Sequence, residues 1–202
     1  PFTTSDLEKI IIQFTHQHNF EQFAVLGFSM GGKCALHLAQ TMPQKITALW
    51  LLASDGIKTN KIYNVAVYPS WGRSLFKTTI QHPAWLFAVV NIANKLRLLS
   101  PWLKKFTYNH METKEKRERL YHTWISMAAF NPDINLVKKQ INQHQIPVLL
   151  FFGKRDEVIP VAVGEFFAEG LSSCLLTRLE RGHYFIDEKI NPSLTAALQW
   201  LK

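Results

Sequence analysis

The stretch FAVLGFSMGGKCALHLA, Phe23 to Ala39, breaks an apolar run at Gly27-Phe28-Ser29-Met30-Gly31-Gly32 and resumes it with a different period. The first part has the length and composition of a buried strand, and the second has the Ala- and Leu-rich spacing of a helix. A strand that turns so abruptly into a helix forces the residue at the bend, Ser29, into a strained backbone conformation. Small residues two positions to either side, Gly27 and Gly31, are expected to let the neighbouring elements approach closely. The bend lifts the Ser29 hydroxyl out of the carboxyl edge of a sheet. The start of the helix offers unpaired N–H groups, and the Met30 N–H is placed to meet an oxyanion forming beside Ser29. Taken alone, G-x-S-x-G also fits a Gly-rich turn in which Ser29 is a helix N-cap.

Outward from this stretch the chain alternates short apolar runs with helical patterns. Ser5 to about His18 reads as an amphipathic helix, opened by a capping box in Thr4-Ser5-Asp6-Leu7-Glu8. Strands are expected over Gln22–Phe28, Ile46–Ala53, Pro147–Gly153 and Ser173–Leu179. Helices are expected over Met30–Thr41, Pro160–Gly170 and Asn191–Trp200. Strands buried on both faces and separated by helices mean an α/β fold with a mostly parallel sheet. Between the second and third strands no strand pattern occurs. Residues 57–142 instead hold helical stretches such as HPAWLFAVVNIANKLRLL and TKEKRERLYHTWISMAAF. That is too long for a connecting loop, so 57–142 is expected to form a helical cap inserted into a core made of 1–56 and 143–202.

Two further loops carry chemistry. PVLLFFGKRDEVIP places Asp156 just beyond the third strand, and LLTRLERGHYFIDE places His183 just beyond the fourth. With Ser29 they form an ordered set at strand carboxyl ends, where open α/β sheets bind ligands. A serine hydroxyl needs a base and the base needs an orienting carboxylate, so the expected roles are nucleophile Ser29, base His183 and acid Asp156. Asp55, after the second strand in LLASDG, is the rival acid, although Asp55-Gly56 also reads as a plain turn. Phe28 and Met30 flank the serine and are expected pocket walls. Trp71, Trp85, Trp102 and Trp124 could line an acyl pocket, with Trp71 and Trp124 the candidates for substrate contact, but helices of an insert need aromatics to pack and core is the favoured reading of each. His16 and His18 do not share a helix face and read as solvated. His37 reads as packing, and His110, His122 and His144 fall in the cap region without an assignable carboxylate.

These motifs resemble those of the α/β-hydrolase fold family, in its single-domain, capped, esterase-like form, over essentially the whole chain. GFSMGG resembles the nucleophile elbow, GKRDEVIP the G-x-x-D-x-x-x-P acid loop, and GHYFIDEKINP the Gly-His loop followed by an acid and a proline. The resemblance implies hydrolysis of a carboxylic ester or thioester through an acyl-enzyme, with no metal or organic cofactor. C–C bond hydrolysis or cofactor-free perhydrolysis are the alternatives on the same scaffold. Family members carry further strands ahead of the elbow, and a loop there, often His-Gly, supplies a second oxyanion N–H. No such segment precedes Ser29 in the 202 residues. The expectation is therefore either the C-terminal part of a longer protein, starting as it does at Pro1 without Met, or a hydrolase-fold binding protein with little turnover. Without those strands the strand ahead of the elbow would present a long apolar edge.

Composition narrows the remaining classes. With 47% hydrophobic and 19% charged residues the chain has the make-up of one globular domain, and no apolar run is long enough to span a bilayer. Cys34 and Cys174, in apolar runs, suit buried free thiols in a reducing compartment, which points to the cytoplasm. Residues 58–139 hold fourteen Lys and Arg against four acids, a net +10 that leaves −2 for the rest of a chain of formal charge +8. The favoured reading is a solvated helical face with i,i+4 ion pairs, ahead of attraction to an anionic substrate or an acidic membrane surface. No nucleic-acid motif accompanies the basicity.

Overall fold

The computed structural model describes residues 2–58, 61–98 and 101–201, so Leu99, at the end of the first quoted insert stretch, lies outside the described residues. The chain divides into two compact units, Phe2–Lys58 with Ala129–Lys202, and Thr59–Ala128.

The first unit is built on four strands, β1 (Phe23–Phe28), β2 (Ile46–Leu52), β3 (Val148–Gly153) and β4 (Cys174–Leu179). All neighbours are parallel, in the order β1-β2-β3-β4. Side-chain alternation divides the core into two layers. Leu49, Leu51, Val148, Leu150 and Phe152 face one side, where they pack with α2 (Gly31–Thr41), α8 (Ile134–Gln143) and α9 (Val161–Ala168) through Leu36, Ile141 and Phe167. Trp50, Leu52, Leu149 and Phe151 face the other, against Phe185 and against Leu194, Ala197 and Leu201 at α10 (Asn191–Trp200). β3 is buried at every position, as a central parallel strand covered on both faces must be. β1 pairs only with β2 among the described residues, and Leu26 on it is 58% exposed.

Two expectations for this unit are corrected. The capping box of α1 (Thr4–Gln17) is Thr3 with Asp6, ahead of where the stretch Thr4–Glu8 put it: Thr3 Oγ1 accepts from the Asp6 N–H at 3.2 Å and its own N–H donates to Asp6 Oδ2 at 2.9 Å. The Asp6 carboxylate reaches back to the Thr3 N–H as a Glu at that position would, which sets the box two residues upstream of Ser5 and Glu8. The segment holding α8 was expected in the insert, yet Val137 and Ile141 pack into the layer that includes Ala35 and Leu38 of α2. His144 is the C-cap of that helix and belongs to the same unit.

The second unit is wholly helical among its described residues: α3 (Lys61–Val67), α4 (Ser70–Gln81), α5 (Ala84–Lys95), α6 (Pro101–Met111) and α7 (Lys114–Ser126). Its small core is Phe76, Ile80, Met111 and Leu120, with Leu86, Phe87, Phe106 and Trp124 around them. The Arg117 guanidinium ties three elements together, donating to the carbonyls of Ile80 and Met111, both at 2.9 Å. The expected i,i+4 pairs are present, Lys114 with Glu118 at 3.8 Å within α7 and Lys116 of α7 with Glu112, just ahead of the helix, at 2.7 Å.

Candidate active site

The Ser29 backbone has φ +50, in the left-handed region that costs a non-glycine residue about 1–3 kcal/mol. The bend is held from both sides. The Ser29 N–H donates to Leu52 O at 3.0 Å, and Ser29 O accepts from Gly32 N at 2.9 Å and Asp55 N at 2.9 Å. A Cβ on Gly27 would stand 2.8 Å from Ala35 Cβ, and one on Gly32 would stand 1.8 Å from Ser54 Oγ. Gly31, the motif glycine, meets nothing within 4 Å. The steric demand therefore falls on Gly27 and Gly32, which corrects the expectation for Gly31.

The acid and histidine loops reach the same sheet edge and are bonded to each other. Lys154 N donates to Leu179 O at 2.8 Å and Arg155 N to Arg181 O at 2.9 Å. A Cβ on Gly153 would lie 2.4 Å from Arg181 O, so only glycine lets the end of β3 approach the histidine loop so closely. The Asp156 carboxylate is buried, accepting at Oδ1 from the N–H groups of Val158 (2.8 Å) and Ile159 (2.9 Å). Its Oδ2 lies 2.8 Å from His183 Nδ1, and His183 Nε2 lies 3.0 Å from Ser29 Oγ. A carboxylate only accepts, so Nδ1 carries the hydrogen and Nε2 is left to accept from the serine hydroxyl. The structure thus brings Ser29, His183 and Asp156 into one hydrogen-bonded chain.

Asp55 is not part of that chain. Its Oδ1 accepts from the Gly56 N–H at 2.8 Å, and its charge offsets the burial that lowers the Lys33 pKa. Met30 is the N-cap of α2, and its N–H takes no backbone acceptor among the described residues. Phe28 lies against the imidazole, its ring 5.5 Å from that of His183 and 5.9 Å, edge-on, from that of Phe185. Phe185 is fully buried and was missed in the sequence; it anchors the His183 loop to the sheet, and the Arg181–Asp187 ion pair closes the loop. The signal was present as an aromatic two residues after the histidine, alternating with exposed Tyr184 and Ile186.

The other candidates are placed elsewhere. His37 Nε2 is 2.7 Å from Glu8 Oε1 and its ring meets Phe130 edge-on. His16 and His18 are exposed on and at the end of α1. His110 lies tilted against Phe106, and burial lowers its pKa; His122 meets Tyr121 edge-on. Trp124 packs with Tyr63, Phe76 and Phe106 inside the helical unit. Trp71 and Trp85 were expected in a core but are 61% and 43% exposed, because both lie on helix sides turned away from it. The Trp102 side chain lies outside the described residues. Cys34 and Cys174 are free but half-buried rather than fully buried, and burial pushes the Cys174 thiol up to about 11.

The sequence model of the alpha/beta hydrolase fold family matches residues 1–190. The chain belongs to the α/β hydrolase fold family. No curated protein matches it in sequence. Among solved structures it is similar to a hydrolase from Pseudomonas aeruginosa PA01, at 19% identity over 100% of this chain and 72% of that one, with TM-score 0.62. A carboxylesterase of the thaumarchaeon Nitrososphaera gargenis is similar at 14% identity, over 99% and 73% of the two chains, with TM-score 0.59. The meta-cleavage product hydrolase of Pseudomonas fluorescens IP01 is similar at 16% identity, over 99% and 72%, with TM-score 0.55. At these identities the likeness is one of fold.

Proposed function

We propose that this protein is a serine hydrolase that cleaves a carboxylic ester or thioester through an acyl-enzyme. The observation that carries the reading is the unbroken hydrogen-bonded chain from Ser29 Oγ through His183 to Asp156, at 3.0 and 2.8 Å. In this reading Ser29 Oγ attacks the carbonyl carbon as its proton passes to His183 Nε2. The new oxyanion is met by the Met30 N–H. As the tetrahedral species collapses, the bond to the leaving alcohol or thiol breaks and His183 returns the proton to it. A water then attacks the acyl-enzyme by the same route, releasing the acid and restoring Ser29. Asp156 keeps the hydrogen on Nδ1 and stabilises the imidazolium. Phe28 and Met30 stand beside the nucleophile as walls of the acyl site.

The test is labelling with a fluorophosphonate probe, followed by a panel of p-nitrophenyl esters of increasing chain length. Labelling is expected in the wild type and lost in Ser29→Ala. Labelling that persists in Ser29→Ala would sink the assignment. C–C bond hydrolysis is the second reading, supported by the similarity in fold to a meta-cleavage product hydrolase. A probe-reactive protein that turns over no ester would favour it.

A further inference from the structure

A helix apolar on every side is ordinarily buried on every side. α5 is such a helix: of its twelve residues, AWLFAVVNIANK, only Asn91, Asn94 and Lys95 are polar. Leu86 and Phe87 pack on the core of the helical unit and Val90 is buried. The opposite side is bare. Trp85, Val89, Ile92 and Leu96 are 43%, 53%, 60% and 61% exposed, and Leu98 just beyond is 77% exposed. Spacings of four, three and four residues put the first four in one stripe, ~16 Å long at 1.5 Å per residue.

Charge indicates what covers the stripe. Residues 59–128 hold eleven Lys and Arg against three Glu, which is the whole +8 of the chain. Two of those glutamates are engaged by Lys114 and Lys116. Lys95 and Arg97, at the end of the stripe, form no ion pair among the described residues. A second copy would set one such cationic unit against another, whereas a surface of anionic lipid headgroups satisfies the apolar stripe and the surrounding charge together. No helix among the described residues is long and apolar enough to cross a membrane, so α5 would lie in the plane of the surface. We propose that the α5 face, Trp85, Val89, Ile92 and Leu96 flanked by Lys95 and Arg97, docks this protein on an anionic lipid surface. The proposal is independent of the chemistry at Ser29.

The test is co-sedimentation of the full chain with phosphatidylcholine vesicles and with vesicles in which about a third of the lipid is phosphatidylserine. Partition into the anionic vesicles is expected to exceed that into neutral ones by at least about tenfold and to weaken with added salt. Val89→Asp with Ile92→Asp should lower it about tenfold, and Lys95→Glu with Arg97→Glu, which leaves the stripe intact, should weaken it and reduce its salt dependence. Ile10→Asp, on exposed α1, should leave partition unchanged. Circular dichroism checks that each variant is folded. Failure of the wild type to bind anionic vesicles overturns the proposal, as does equal binding by folded α5 variants. A dimer in sedimentation analysis that Val89→Asp with Ile92→Asp dissociates would assign the face to a second copy instead.

Discussion

Asp156 and Asp55 both follow strands of the same sheet, and the structure gives them different work. Asp156 has each oxygen committed, Oδ1 to two backbone N–H groups and Oδ2 to His183, while Asp55 holds its own turn at Gly56. Asp156→Asn presents an amide where the imidazole needs an acceptor, and it should lower turnover by up to about 10⁴-fold through the wrong tautomer. Asp55→Asn keeps an oxygen for the Gly56 N–H and should change turnover little. Steady-state kinetics on both variants, with circular dichroism to confirm folding, checks this. A dead Asp55→Asn beside an active Asp156→Asn would overturn the choice of acid.

The bend between β1 and α2 is the element on which Ser29 depends, and its glycines are not equivalent. A methyl at position 32 collides with Ser54 Cβ as well as Oγ, and with Asp55 O at 2.9 Å, so no rotamer change relieves it. Gly32→Ala should cost about 1–3 kcal/mol, the usual penalty of overpacking. Gly31→Ala points into open space at the first position of α2 and should be neutral or stabilising by up to about 1 kcal/mol, since alanine loses less entropy in a helix. Urea unfolding midpoints of the two variants are the measurement. Equal losses would show that the second glycine of the motif is constrained as tightly as the third.

Across the whole molecule, stability is unevenly distributed. The four-stranded unit buries two layers of side chains, including Phe151, Phe152, Phe167 and Phe185 at 0% exposure, while the core of the helical unit is four residues with partly buried neighbours. Local opening free energy follows buried apolar contact. Amides of β2 and β3 should therefore exchange with solvent at least about tenfold more slowly than those of α5 and α6. Hydrogen exchange followed by mass spectrometry reads this directly, and uniform protection across both units would contradict it.

Much of this could be read from the chain because it is encoded locally. Strand and helix periods, the Gly-rich bend at Ser29 and the loops carrying Asp156 and His183 are each specified within a dozen residues. The order of those loops on parallel strands was enough to expect the three side chains at one edge. What depends on distant partners could not be read in the same way. The pattern of Ile134–Gln143 shows an amphipathic helix but not that its apolar side meets α2. An aromatic such as Trp85 looks the same in sequence whether it is packed or bare, and two adjacent glycines look the same until Ser54 is placed where a Cβ on one of them would lie 1.8 Å from its Oγ. Sequence by itself determined which elements form and which loops bring Ser29, Asp156 and His183 to one edge of the sheet, because backbone sterics and side-chain period act between near neighbours. Only the tertiary structure decided which faces are covered, which carboxylate reaches the imidazole and which glycine is indispensable, because those follow from side chains that meet only after folding.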